Sequence, residues 1–252
     1  MNSNLPILLI GPPGVGKTAK IKAQFDHVEI LLLSSATEED IAGIPYHKNG
    51  IEYRTRPIWL QRLNKAVDEG KSTCLFFDEL DKARREVADT MLSLVVSPEQ
   101  FGIPSSVRLR AAANPPEWGG GEGISDPMIS RWVVKEFTMD EKAVAEQLAY
   151  WEERYKESKA AEIVDALLAI IADNGWIHST GEGLNRRIAS PRTMTMALDA
   201  VANNDDDIDA IIAGLLPTVF TTAFITNPEV QTTIKRSYKH NKKHNILRIP
   251  NG

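Results

Sequence analysis

Cysteine is almost missing from this chain of 252 residues, which contains only Cys74. A single thiol cannot form a disulfide within the chain, so a disulfide framework is excluded. Long apolar runs are missing too, because no stretch approaches the roughly 20 residues that a membrane-spanning helix needs. Residues 1–4 show neither the positive charge nor the apolar core of a secretory signal peptide. We therefore expect a cytoplasmic protein without a membrane span.

The chain also lacks a large excess of either charge. It has 29 Lys and Arg residues against 34 Asp and Glu residues, and the net charge is −5. Global charge therefore gives no support for a nucleic-acid or membrane-surface partner. Basic residues do cluster in segment 235–248, where six of fourteen residues are Lys or Arg. Such a run is usually a solvated tail, and binding of nucleic acid is the alternative that it leaves open.

A glycine-rich segment lies between a predicted strand and a predicted helix. Segment 5–10 is an apolar run, segment 18–25 has the pattern of a helix, and segment 11–18 matches G-x-x-x-x-G-K-[ST]. In this pattern the glycines let backbone N–H groups point at a phosphate, Lys17 reaches the β- and γ-phosphates, and the Thr18 hydroxyl binds Mg²⁺. The residues predicted to bind nucleotide are Gly11, Pro12, Pro13, Gly14, Val15, Gly16, Lys17 and Thr18.

A second motif, STCLFFDE at 72–79, is an apolar stretch that ends in two acids. In nucleotide-binding α/β folds the chemistry lies at the carboxyl ends of the strands, so Asp78 and Glu79 would lie beside the glycine-rich loop. We expect Asp78 to hold Mg²⁺ through water and Glu79 to act as general base on the attacking water. The alternative is a strand that ends in a solvated acidic turn, and the glycine-rich loop favours the catalytic interpretation.

A third core strand is predicted at 107–113, and Asn114 and Pro115 follow it directly. A polar side chain at this position can orient the attacking water or contact the γ-phosphate. The alternative is an asparagine that begins a turn before a proline. The two other motifs favour the functional role, so Asn114 is a candidate catalytic residue.

The remaining chain has an ordinary globular pattern without internal repeats or low-complexity segments. It predicts a strand at 28–33, a hairpin at the Asn49-Gly50 pair and a helix at 81–95. From Met139 onward, apolar residues recur at helical spacing, which predicts a smaller, all-helical region. The predicted organisation is an α/β domain with a parallel sheet at 1–138, a helical domain at 139–228 and a basic tail at 229–252.

Together these motifs resemble the AAA+ ATPases, and among them the MoxR-like branch. The resemblance covers about residues 5–202. The motifs that carry it are GPPGVGKT (11–18), LFFDELDKA (75–83), AAAN (111–114), ISRW (129–132) and SPRTMTMAL (190–198). Segment 39–60, with its IAGIPY and RPIWL pieces, resembles the insert of that branch. The resemblance implies a P-loop NTPase core of the AAA+ type followed by a helical lid.

The resemblance also implies roles for three residues that lie outside the glycine-rich motif at 11–18 and the motif at 72–79 that ends in two acids. Asn114 matches sensor 1, Arg131 matches the finger that contacts a neighbouring subunit's γ-phosphate, and Arg192 matches the sensor 2 arginine of the lid. Both guanidinium groups would stabilise charge in the transition state of phosphoryl transfer. A surface or structural arginine is the alternative for each. Rival candidates for the finger are Arg84, Arg85 and Arg154.

The resemblance finally implies ATP hydrolysis with Mg²⁺ in a ring of identical chains, a hexamer, coupled to remodelling or maturation of a protein partner. The implied partner is either a client or adaptor with a von Willebrand A type domain or a macromolecular complex that is being matured. Two alternatives stay open. One is a motor or loader of the same superfamily that acts on nucleic acid through the basic tail. The other is a monomeric P-loop kinase or nucleotide switch.

Overall fold

A computed structural model of the chain describes residues 5–118, 124–139, 141–158, 160–161, 163–164, 167, 178–180, 187–203, 208–217 and 220–221. The chain divides into two compact units, Met1–Thr138 and Met139–Gly252. The predicted basic tail, 229–252, lies outside the described residues.

Strands and helices follow one another along the first unit, and the described residues of the second unit form two short strands besides helices. The described strands are β1 Ile7–Ile10, β2 His27–Leu32, β3 Pro45–Lys48, β4 Ile51–Arg54, β5 Thr73–Asp78, β6 Arg108–Ala113, β7 Val133–Glu136, β8 His178–Thr180 and β9 Arg187–Ala189. The described α-helices are α1 Lys17–Lys22, α2 Glu38–Ala42, α3 Ile58–Asp68, α4 Arg85–Val96, α5 Asp126–Ile129, α6 Glu141–Tyr155, α7 Pro191–Asn203 and α8 Ile208–Leu215.

A five-stranded sheet in the order β2-β5-β6-β1-β7 forms the centre of the first unit. Every neighbouring pair in it is parallel. This confirms the predicted α/β class with a parallel sheet. In a parallel sheet the chain crosses over between strands, and here helices provide most of the connections.

Alternate residues of the strands pack on opposite faces of this sheet. On one face, Leu8, Leu75 and Phe77 belong to a core that includes the buried residues of α3 and α4. On the other face, Phe76 packs in a smaller core with Ile21 of α1. Because both faces are covered, β1 and the stretch 74–77 of β5 are continuously apolar instead of alternating with polar residues.

The register places the carboxyl ends of three strands at one edge of the sheet. Ile10 of β1 is opposite Ala113 of β6, and Phe77 of β5 is opposite Ala111 of β6. The segments that follow these strands therefore leave the sheet side by side. They contain the three motifs that the sequence predicts to act together.

The predicted hairpin is present as β3 and β4, joined by Asn49 and Gly50. Both linking residues have positive φ, 54° and 76°, as a two-residue hairpin turn requires. The register places Tyr46 opposite Tyr53, and their rings stack with centroids 5.6 Å apart. All residues of both strands are exposed, so the hairpin adds no side chain to the core.

The predicted helix at 81–95 is wrong at its start. A 3₁₀ turn, Leu80–Lys82, follows β5, and the α-helix begins only at Arg85. The backbone is extended at Ala83 and Arg84, with ψ of 133° and 155°. Asp81 lies in the separate turn because its carboxylate is buried and accepts a hydrogen bond from the backbone of Asn114. The helical spacing of apolar residues carries no information about a contact with a residue so distant in the chain.

The second unit has its own core, in which Trp151, Met194 and Phe220 are fully buried. Ser190 caps α7, since its hydroxyl accepts from the Thr193 N–H at 3.3 Å. The prediction of an all-helical region needs a correction, because β8 and β9 form an antiparallel pair. Strands of three residues are too short to leave a periodic signal. Among the described residues, no helix has the length and apolarity to cross a membrane.

Candidate nucleotide-binding site

The glycine-rich loop leaves β1 along a path that only glycine permits at its first position. A Cβ added to Gly11 would lie 2.0 Å from the backbone oxygen of Phe137. Gly11 also donates its N–H to the carbonyl of Ala113, at 3.2 Å, which ties the loop to the end of β6. Further along, Gly14 and Gly16 have φ of 80° and 93°, a region that favours glycine. The loop therefore has the backbone that the phosphate-binding pattern predicts.

Lys17 is buried at the centre of the site, with 8% of its surface exposed. Its Nζ donates to the carbonyl oxygens of Gly11 and Pro12, at 2.6 and 2.9 Å. It also donates to Oδ1 of Asn114, at 2.9 Å. An ammonium group among oxygen acceptors can exchange some of them for phosphate oxygens. The structure thus brings the predicted lysine and the predicted asparagine into direct contact.

Thr18 and Asp78 form the second contact between motifs. The Thr18 hydroxyl donates to Oδ2 of Asp78 at 2.8 Å. A hydroxyl oxygen and a carboxylate oxygen are the hard ligands that Mg²⁺ prefers, and magnesium sites near phosphates commonly use one or two such protein groups. The two residues predicted to hold Mg²⁺ are therefore adjacent and chemically suited to it.

Glu79 follows directly and adopts a left-handed backbone, with φ 57° and ψ 44°. A non-glycine residue in this region is uncommon and marks local strain, which occurs often at functional sites. Its N–H donates to Oδ1 of Asp78 at 3.0 Å, and its carboxylate accepts from Lys82 at 3.0 Å. The side chain is 33% exposed, so water can reach the predicted base.

Asp81 is a site residue that the sequence analysis missed. Its side chain is 3% exposed, and its Oδ1 accepts from the backbone N–H of Asn114 at 3.0 Å. The helical pattern of 81–95 placed this residue at the start of a helix. Its only sequence signal is its position two residues after Glu79, in the segment that leaves the carboxyl edge of the sheet.

The predicted arginines lie outside this group of contacts. Arg131 is exposed and donates within its own segment, to the Pro127 oxygen at 3.0 Å and to the Ser130 hydroxyl at 2.7 Å. Arg192 is exposed on the first turn of α7, in the second unit. Their predicted roles stay predictions.

Of the rival arginines, Arg84 and Arg85 are exposed at the start of α4. Arg154 has a local structural role, because it bonds to the Tyr150 hydroxyl and pairs with Asp199 at 2.8 Å. These two hydrogen bonds hold the pKa of Arg154 above its usual range. Its engagement within the second unit makes Arg154 the weakest of the rival candidates.

A family model matches the first half of the chain. The model described as AAA domain (dynein-related subfamily) matches residues 6–132, which is about half of the chain. The matched region contains the glycine-rich loop, Asp78, Glu79, Asn114 and Arg131.

Among curated proteins, the chain is similar to the proteasome-activating nucleotidases of Thermococcus gammatolerans and Thermococcus kodakarensis. Each is 29% identical over 136 residues. The alignment covers 50% of this chain and 31% of each relative, so the chain matches about a third of their length.

Among solved structures, the chain is similar to the RuvB Holliday junction branch migration motor of Thermotoga maritima. The sequence identity is 17% and the TM-score is 0.46, over 92% of this chain and 61% of that chain. A similarity at this level carries no argument about function. The fold of this chain rests on its own strand order and register.

Proposed function

The chain belongs to the AAA domain family of the dynein-related subfamily, and from this premise we propose that it couples ATP hydrolysis to the remodelling of a protein partner. The chain is an ATPase, as members of this family are. The proposal adds that Mg²⁺ assists the reaction, that identical copies form a hexameric ring, and that the chain belongs with the MoxR-like branch. The second unit would then serve as the lid.

One observation carries the proposal: two contacts join the motifs at the carboxyl edge of the sheet. Lys17 bonds to Asn114, and Thr18 bonds to Asp78. A P-loop kinase or switch needs the lysine, the hydroxyl and the acid, yet it has no evident use for the asparagine. An ATPase that hydrolyses with water uses all four groups, because the water must be oriented as well as activated.

Each residue has a defined chemical task in hydrolysis. Lys17 would exchange its backbone acceptors for oxygens of the β- and γ-phosphates. Glu79 would take a proton from the attacking water. The oxygen of that water would then bond to the γ-phosphorus, while the bond from this phosphorus to the β–γ bridging oxygen breaks and ADP leaves with that oxygen. Asn114 would orient that water. Bound Mg²⁺, held by Thr18 and through water by Asp78, would neutralise phosphate charge.

The exposed arginines supply the argument for assembly. Arg131 presents its guanidinium group at the surface, where a second copy of the chain can use it. A positive charge beside the transferring phosphoryl group lowers the barrier, and in P-loop NTPases an arginine can supply this charge from the same chain or from a partner protein. We assign the finger to Arg131 and a second charge contact, from the lid, to Arg192.

The proposed partner of the chain is a protein. The similar curated proteins are named for activating the proteasome, which is a protein complex, and this supports a protein partner here. Within the MoxR-like branch we propose a client or adaptor with a von Willebrand A type domain. Stimulation of ATP turnover by DNA that disappears when residues 235–252 are deleted would instead favour the nucleic-acid alternative.

Subunit mixing tests the ring directly. Arg131→Ala and Glu79→Gln should each turn over ATP at least about 100-fold more slowly than the wild-type chain. In a mixture of the two variants, Arg131 of a Glu79→Gln copy can complete the site of a neighbouring Arg131→Ala copy, whose Glu79 is intact. We therefore expect partial recovery of ATP turnover on mixing. The specific activity of the wild-type chain should also rise with protein concentration and then level off.

The matched control is Arg108→Ala, because Arg108 lies at the amino end of β6, away from the site, and bonds to the Ser106 oxygen. We expect its turnover to equal that of the wild-type chain. Absence of recovery in the mixture, together with constant specific activity in a dilute sample that sizes as a monomer, would contradict the ring.

A further inference from the structure

Asp81 links the segments that follow β5 and β6. Its Oδ1 accepts the backbone N–H of Asn114 at 3.0 Å, across the boundary between these neighbouring strands. The turn that contains Asp81 also contains a bond from the Lys82 N–H to the Glu79 carbonyl, at 3.0 Å. The carboxylate of Asp81 therefore joins the segment that contains Glu79, the predicted base, to the segment that contains Asn114, the predicted sensor 1 residue.

The contact extends from Asp81 through Asn114 to Lys17. The backbone of Asn114 is bonded to Asp81, and its side-chain oxygen accepts from Lys17 at 2.9 Å. A backbone N–H that donates to a carboxylate forms a charge-assisted bond, which is stronger than a bond between neutral groups. Such a bond restricts where the backbone of Asn114 can lie and hence where its carboxamide points.

Stability alone does not account for a carboxylate at this position. Asp81 is 3% exposed, and among the described residues its Oδ2 has no hydrogen-bond partner. A buried carboxylate oxygen without a partner destabilises a fold, and an apolar side chain would avoid that penalty. An unpaired buried group of this kind needs an explanation, and a catalytic role is one such explanation.

We propose that Asp81 is a positioning residue for ATP hydrolysis, which acts by holding the Asn114 carboxamide toward Lys17 and the transferring phosphate. Its own carboxylate does not touch the nucleotide. The inference rests on ATP hydrolysis and the proposed role of Asn114. It does not depend on the ring or on the protein partner.

The test is a double-mutant cycle measured as steady-state ATP turnover, at a protein concentration where the specific activity of the wild-type chain has levelled off. Asp81→Ala removes the acceptor, and Asn114→Ala removes the carboxamide while keeping the backbone N–H that Asp81 binds. We expect Asp81→Ala to lower kcat about tenfold and to change KM by less than about twofold. In the Asn114→Ala background the same change should lower kcat by less than about twofold.

Asp81→Asn supplies the conservative control, because its carbonyl oxygen can still accept the Asn114 N–H. We expect its kcat to lie within about twofold of the wild-type value. Equal losses from Asp81→Ala in both backgrounds would overturn the proposal, because Asp81 would then act independently of the carboxamide. So would a tenfold loss in a folded Asp81→Asn chain, or a KM that rises with kcat unchanged.

Thermal unfolding of each variant separates positioning from folding. If Asp81→Ala does not fold, Asp81→Leu takes its place in the cycle with Asn114→Ala, because leucine also removes the acceptor while it fills the buried space, and the expected and contradicting results are the same. If the wild-type chain hydrolyses ATP and the losses of kcat from Asp81→Ala and Asn114→Ala are additive, only the role of Asp81 is contradicted. A wild-type chain with constant activity on dilution and no recovery on subunit mixing contradicts the proposed ring and leaves the role of Asp81 intact.

Discussion

The carboxyl edge of the sheet and the β3–β4 hairpin both depend on residues with positive φ, yet they use their side chains differently. At the sheet edge, Lys17 and Asp81 are buried and bond to residues of other segments. In the hairpin every strand residue is exposed, and the clearest side-chain contact joins Tyr46 to Tyr53. Turn chemistry thus determines a local backbone path, whereas a reactive site needs segments that are distant in the chain to meet.

The largest expected difference between the two regions concerns a single carboxylate. Glu79→Gln removes the predicted base at the sheet edge and should lower ATP turnover at least about 100-fold, because a base in general acid–base catalysis contributes by that order. Glu52→Gln makes the same chemical change in the exposed β4 strand and should leave turnover within about twofold of wild type. The measurement is ATP turnover at saturating ATP with a nucleotide-binding assay alongside. Wild-type turnover in Glu79→Gln would show that the base assignment is wrong.

An intermediate difference is expected for one added methyl group. Gly11→Ala would place a Cβ 2.0 Å from the Phe137 oxygen, and we expect the free energy of unfolding to fall by about 3 kcal/mol. Gly50→Ala has nothing within 4 Å of the new Cβ but keeps a φ of +76°, so a loss of about 1 kcal/mol is expected.

Urea unfolding of both alanine variants, analysed with a common slope, measures this comparison. Steric contact should govern the first variant and backbone strain the second. Equal losses in the two variants would mean that the close approach to Phe137 is relieved by a small shift of the loop.

The smallest effect is expected within the hairpin itself. Tyr53→Ala removes one ring of the stacked pair and should lower the free energy of unfolding by about 0.5 to 1 kcal/mol, without changing basal ATP turnover. Tyr53→Phe keeps the ring and should match the wild-type chain in both measurements. A large fall in basal turnover for Tyr53→Ala would show that the hairpin and the sheet edge are coupled.

Much of the first unit could be predicted from local signals. The apolar run before Asp78 predicted β5, and the Asn49-Gly50 pair predicted the hairpin because both residues accept positive φ. Thr37 and Asp40 form the reciprocal capping hydrogen bonds of α2, which an acidic first turn favours. These features depend on residues that are close in the chain, so their signals survive in the sequence.

The start of α4 could not be predicted in the same way. The periodic pattern of 81–95 includes Asp81, but the carboxylate of Asp81 bonds to a residue 33 positions away and the chain turns before the helix begins. The short β8 and β9 strands in the second unit were not predicted for a different reason, because a strand of three residues is too short to show the alternation of apolar and polar residues. In the first case a tertiary contact accompanies a departure from the local preference, and in the second case there is no local signal to read.

The sequence by itself determined the glycine-rich loop, the apolar strands and the acids and asparagine that follow them, because each depends on backbone preference or burial of neighbouring residues. Only the tertiary structure decided the strand order and which polar groups meet. The bond between Lys17 and Asn114 joins residues 97 positions apart. Such contacts form where parallel strands share a carboxyl edge, and the order of those strands is an outcome of packing over the whole unit.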